Sequence, residues 1–200
     1  MSDHRGFLID GISINAANGS ENRGGGINCH IDVGYVNNCV DNPIMIMADP
    51  FTPSLQTMSV GSVGAKRSGG YNNPIVFNVV GPGDFEIKLG SFKGDNVVKP
   101  ALVSTRDAKS VKLRAGIVNG AKSVMYSVHT LDNDVEVEEV YNTPTILIRG
   151  GTEGGKCRTL RVHGVKATDS NLVSVISTQN NLSAFQCMEI SNNSFSGAIS

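Results

Sequence analysis

Val135-Glu136-Val137-Glu138-Glu139-Val140-Tyr141-Asn142 alternates apolar and polar residues, breaks the alternation once, and runs into a turn-forming Asn. Its apolar residues stand at the first, third and sixth positions. The same spacing returns, in full or nearly so, in eight segments. They are Ile12, Ile14 and Ala17; Ile31, Val33 and Val36; Met58, Val60 and Val63; Ile87, Leu89 and Phe92; Leu113, Ala115 and Val118; Val135, Val137 and Val140; Leu160, Val162 and Val165; and Met188 and Ile190 with Asn193 at the sixth place. The segments begin 19 to 29 residues apart, a period of stacked supersecondary units.

Alternation at the first and third positions is a strand signal, because successive strand side chains point to opposite faces. Asn18, Asn37, Gly64, Gly94, Asn119 and Asn142 follow the sixth position closely, and these residue types enter the left-handed region most cheaply. A second apolar run follows in six units: Pro43-Ile46, Pro74-Phe77, Pro100-Val103, Val124-Tyr126, Pro144-Ile148 and Leu172-Ile176. Four of these open on Pro, which lacks an amide donor and is tolerated at the first residue of a strand. Two strands and two turns per unit make a coil. Stacked coils bring strands to about 4.8 Å, with apolar positions lying over one another in a long core. The reading is an all-β, right-handed parallel β-helix of seven to eight rungs. It forms one domain over residues 1–200, with an irregular lead-in over 1–26 and the main rungs over 27–200. A sandwich or antiparallel barrel also offers many short strands, but neither predicts one motif recurring in one order.

Hydrophobic residues make up 40% of the 200, enough for a sizeable core, and only 18% are charged. A net charge of −1 and the lack of a basic run speak against nucleic acid as a partner. The apolar runs are too short for membrane insertion, and Met1-Ser2-Asp3-His4-Arg5 does not start a signal peptide. Cys29, Cys39, Cys157 and Cys187 form no Cys-x-x-Cys pair and have no His at ligand spacing; they read as buried free thiols, with neither metal nor cofactor implied. Ser194 to Ser200 stops where a second strand should begin, so a piece of a longer chain, or ends covered by other subunits, is expected.

Gly150-Gly151-Thr152-Glu153-Gly154-Gly155-Lys156-Cys157 nearly spells a phosphate-binding loop, but Cys157 replaces the hydroxyl and the residues that follow alternate as a strand. An inter-rung turn is the better reading. Position two of each rung faces outward and reads Ser13, Asp32, Ser59, Lys88, Arg114, Glu136, Arg161 and Glu189. This column is either a ladder of exposed ion pairs or a sugar-binding strip. Position four reads Asn15, Gly34, Gly61, Gly90, Gly116, Glu138, His163 and Ser191, a shelf of bare backbone leading to an acid and a histidine. Such a shelf suits a neighbouring subunit or a ligand, since close backbone approach is a general use of Gly.

Glu138 and Glu139 straddle the break in alternation, and paired carboxylates are the usual equipment of glycoside hydrolysis. They are the candidate catalytic residues; Arg114, Glu136, Arg161 and His163 are the candidate carbohydrate-binding residues. In this register Arg114 and Arg161 stand diagonal to Glu138 and His163 lies one rung above it. Glu138 would then act as base or hydroxyl acceptor, with Glu139 or His163 as proton donor.

The rung pattern, with Asn or Gly after its sixth position, resembles the pectate-lyase-like β-helices, and the missing signal peptide resembles their phage tailspike branch. That resemblance covers nearly the whole chain and implies a virion appendage. Such proteins are typically homotrimers that bind, and often cleave, the polysaccharide coat of a bacterium. The alternatives are a secreted, extracellular polysaccharide lyase or glycoside hydrolase, and a purely structural shaft. Cleavage as well as binding stays open at this point. Aromatic residues at 6% and no Trp leave little for sugar stacking.

Overall fold

The computed structural model describes residues 3–5, 12–14, 17–18, 22–23, 30–37, 44–47, 55–66, 77–95, 102–150, 157–167, 172–178 and 186–196. Among them there is no helix, and the chain is a parallel β-solenoid. One sheet stacks, in chain order, Asp3–Arg5, His30–Asn37, Leu55–Lys66, Asp84–Asp95, Ser110–Asn119, Asp132–Tyr141, Thr159–His163 and Cys187–Ser191. The other stacks Ile12–Ile14, Ile44–Met47, Phe77–Val80, Val103–Arg106, Ser123–Val128, Thr145–Gly150 and Ser174–Thr178. About four coils, from Asp84 to Thr178, have both strands and their side chains described, against the seven to eight rungs expected. Further strands pair onto both ends of this block. The one antiparallel pair among the described strands, Ala17–Asn18 with Asn22–Arg23, is a small hairpin in the Gly-rich lead-in.

The expected columns form across the middle of the first sheet. Met58, Ile87, Leu113 and Val135 lie in register, as do Val60, Leu89, Ala115 and Val137, and then Phe92, Val118 and Val140. All are buried where side chains are described. Each long strand turns a corner between its third and sixth positions. Gly116 and Ile117 both lie outside, between buried Ala115 and Val118, and Glu138 and Glu139 do the same between Val137 and Val140. After the sixth position the left-handed turn falls on Asn142 (φ 47°) as expected, but on Gly120 (φ 80°) instead of Asn119, and Gly94 does not adopt it; Asn142 Nδ2 donates to Asn119 Oδ1 at 3.0 Å.

Three expectations are corrected. Ile12–Ile14 belongs to the second sheet, where it pairs with Ile44–Ile46, while Asp3–Arg5 pairs with the first-sheet strand through Tyr35–Asn37. Val162 lies over Val135, not over Val137, and Leu160 lies over Asn133. Consequently Arg161 stacks on Asp134 and His163 on Glu136. Alternation alone cannot exclude this, because a slip of two residues keeps every side chain on its own face. Finally, Cys157 is buried but Cys187 is exposed, since its column carries the outward residues Thr159 and Asp132. Both thiols are free. Cys29, Cys39 and the segment 151–156 lie outside the described residues.

The first-sheet core has one more inner column than the sequence motif contains: Phe85, Val111, Asn133 and Leu160. Asn133 is fully buried there, and its Nδ2 donates to the carbonyls of Thr130 and Thr159, at 3.3 Å each. Its amide nitrogen thus bridges two successive coils, while its buried Oδ1 has no hydrogen-bond partner among the described residues.

Val137→Asp would place an unpaired carboxylate between apolar rungs and is expected to lose more than about 4 kcal/mol, whereas Ile117→Asp, at an outward position 43% exposed, should lose less than about 1 kcal/mol. Urea denaturation midpoints of the two variants check the inward and outward assignment.

Candidate functional site

The glycine column forms as read. Gly61, Gly90 and Gly116 face outward in successive rungs, followed by Glu138. A Cβ at Gly90 would collide with the Gly61 carbonyl oxygen, and one at Gly116 with that of Gly90. The chain's own stacking therefore requires Gly90 and Gly116, and no neighbouring subunit is needed to explain those two. Their bare backbone is the floor of a groove of about 600 Å³. Ser59, Lys88, Arg114 and Glu136 rise along one side, and Glu138 stands at one end of the floor.

Lys88, Arg114 and Glu136 stack in register, and the column then continues to His163. Beside it runs a second column of Glu86, Lys112, Asp134, Arg161 and Glu189. The two columns are cross-linked at Arg114. Its Nε lies 2.6 Å from Glu136 Oε2, and its Nη2 donates to Asp134 Oδ2 at 3.0 Å. Asp134 Oδ1 is 2.8 Å from His163 Nε2. Burial alone would raise the Asp134 carboxyl, but the hydrogen bond and charge of Arg114, and then those of His163, hold it below its ordinary value. Arg161 turns away from this cluster to Glu189, at 2.8 Å. The Glu189 carboxyl is held low by Ser191 and Arg161.

The sequence-predicted residues thus divide. Arg114 and Glu136 flank the groove and Glu138 ends it, while Glu139 does not line it. Glu139 lies past the corner, where Tyr141 Oη donates to it at 2.8 Å and Lys166 Nζ is 3.7 Å away. His163 and Arg161 sit in the ion-pair columns rather than in the groove lining. Neither arginine reaches Glu138, which makes no ion pair with any described residue. Asp134, the acceptor that ties Arg114 to His163, is absent from the sequence reading; its signal is the Asp-x-Glu pair at 134 and 136 on one strand face.

The near phosphate-loop motif has its strand up to Gly150 and, from Thr159, another strand where the motif requires a helix. Among the described residues no group of three or more His, Cys, Asp or Glu could hold a metal, and no helix is long and apolar enough to cross a membrane. The fold shown is an all-β parallel solenoid; no family model, curated protein or solved structure matches the chain.

Asp84, Asp132 and Asp134 all have lowered pKa values: Asp84 through Ser110 and Lys109 against the opposing effect of burial, Asp132 first through Arg158, and Asp134 through Arg114 and His163 against burial. A carboxylate lowered by folding stabilises the fold fully above its unfolded value, and that stability is lost as pH falls through the folded value. The Tm should therefore hold down to about pH 4 and drop below it. Asp134→Asn should start from a lower Tm at pH 6 and show a shallower acid drop. An acid limb unchanged by the substitution would remove Asp134 from the stability of this sheet face.

Proposed function

We propose that the chain binds an extended polysaccharide laid across its rungs, as a tailspike-like appendage that meets the surface glycan of a bacterium, on a virion or otherwise outside the cell. One observation carries this reading: a groove whose floor is backbone from successive glycines and whose flank and end are charged. A linear, hydroxyl-rich ligand suits such a surface, because side-chain and backbone polar groups can bond its hydroxyls while the missing Cβ atoms allow close approach. Hydrogen bonds and charge would carry the affinity, as the lining has no aromatic side chain. A homotrimer belongs to the same proposal. Its support is apolar surface along the stack, where Ile117 and Val173 are exposed.

The enzymatic version places a lyase or glycoside hydrolase on the same groove. Glu138, exposed and free of ion pairs with described residues, is the carboxylate it would use as base.

Binding to purified host capsular polysaccharide or lipopolysaccharide, with release of reducing ends measured in parallel, tests the proposal. Glu138→Gln should weaken capture by about tenfold or less if the groove only binds, since an exposed carboxylate contributes modestly. It should cut turnover roughly a hundredfold or more if the groove cleaves, since an amide keeps the shape but takes no proton. A Gln variant equal to wild type in both assays would take Glu138 out of the function.

A further inference from the structure

We infer that the groove selects an anionic glycan, seating one negatively charged substituent on Lys88 and sugar hydroxyls on Glu138; this rests on the polysaccharide reading above. Four charged side chains line the groove, Lys88, Arg114, Glu136 and Glu138, and two of them are already matched. Arg114 meets Glu136 at 2.6 Å and Asp134 at 3.0 Å, so one cation is shared by two carboxylates and its fork of donors is engaged. It has little left for a ligand. Glu136, in turn, is held by Arg114.

Lys88 and Glu138 differ. Both are exposed, and neither makes an ion pair or hydrogen bond with a described residue. The carboxylate nearest to Lys88 along its own strand face is Glu86, and that one is engaged by Lys112 Nζ at 3.4 Å. In the stack Lys88 lies between Ser59 and Arg114, so neither rung neighbour offers it a negative charge. Among the described residues, Lys88 on one flank and Glu138 at one end of the groove thus have no partner of opposite charge. A lysine is a compact point charge on a flexible stem, so it fits a carboxylate, sulfate or phosphate without choosing among their shapes. A carboxylate is acceptor-only, and the donors it lacks are what sugar hydroxyls supply. Lys88 and Glu138 stand two rungs and two residues apart, on the order of 10–12 Å between Cα atoms, so one ligand must cross the glycine floor to reach both. With a net charge of −1 the chain has no general pull on polyanions, and selectivity for them has to be local.

The test measures binding of five polymers to the full chain. Polygalacturonate and hyaluronan carry carboxylates, dextran sulfate carries sulfates, and carboxyl-reduced polygalacturonate and dextran carry no charge. Wild type is compared with Lys88→Gln and with Lys122→Gln, an exposed lysine outside the groove lining. Wild type should hold at least one charged polymer roughly tenfold or more tighter than its neutral counterpart. Lys88→Gln should erase that difference and Lys122→Gln should keep it. Which anion is preferred identifies the source of the charge. Neutral polymers bound as tightly as charged ones, or a charge preference indifferent to Lys88→Gln, would overturn the inference and leave the polysaccharide reading standing. Binding to none of the five and none to the host glycan would overturn both.

Discussion

Parallel pairing of each rung on the next is the constraint from which the other features follow. In a parallel ladder the partner of a residue is its equivalent one coil away, so like positions accumulate into columns. Apolar columns become core, and Leu89, Ala115 and Val137 show how little their size must match for the stack to stay closed. Charged columns become cross-linked faces, as with Glu86, Lys112, Asp134, Arg161 and Glu189. At the outer corner a Cβ on Gly90 would run into the Gly61 carbonyl oxygen and one on Gly116 into that of Gly90, so those two rungs accept only glycine, and the first side chain of the column is Glu138. A substitution there acts on two rungs at once.

The solenoid was legible because alternation and a recurring turn repeat in one order, which neither a sandwich nor an antiparallel barrel asks for. The register was legible only where the repeat is unbroken. Asn133 occupies an inner column that Phe85 and Val111 fill in the preceding rungs, so the apolar run of its strand begins two residues late, at Val135. Leu160 was thereby matched to Val135 instead of to Asn133, and the error carried Arg161 and His163 with it. A buried amide that bonds two turns looks, in sequence, like an outward polar residue. Ile12 and Ile14 illustrate the complementary ambiguity: a short alternating strand fits either sheet when its place in the coil is unknown.

The groove was partly visible. The glycine column and the outward charges of Lys88, Arg114, Glu136 and Glu138 could be placed from position alone. Their pairing could not, because three dihedral angles or more separate a guanidinium from its Cα, and the choice of Arg114 between several acids is made by the packing. That choice sets the local charge: Arg114 bridges Asp134 and Glu136, and among the described residues neither Glu138 nor Lys88 has a partner of opposite charge. Glu139 was read with Glu138 because they are adjacent, yet the corner in the strand sends it towards Tyr141 and Lys166.

A floor made of repeating backbone has translational symmetry. Gly61, Gly90 and Gly116 present nearly the same surface at intervals of about 4.8 Å, so a polymer lying on them alone could advance by one rung and find the landscape unchanged. The floor is a track, and a track does not fix position. Registration has to come from features that occur once, and along this groove those are the differing side chains of the flank, Ser59, Lys88, Arg114 and Glu136, and Glu138 where glycine gives way to an acid.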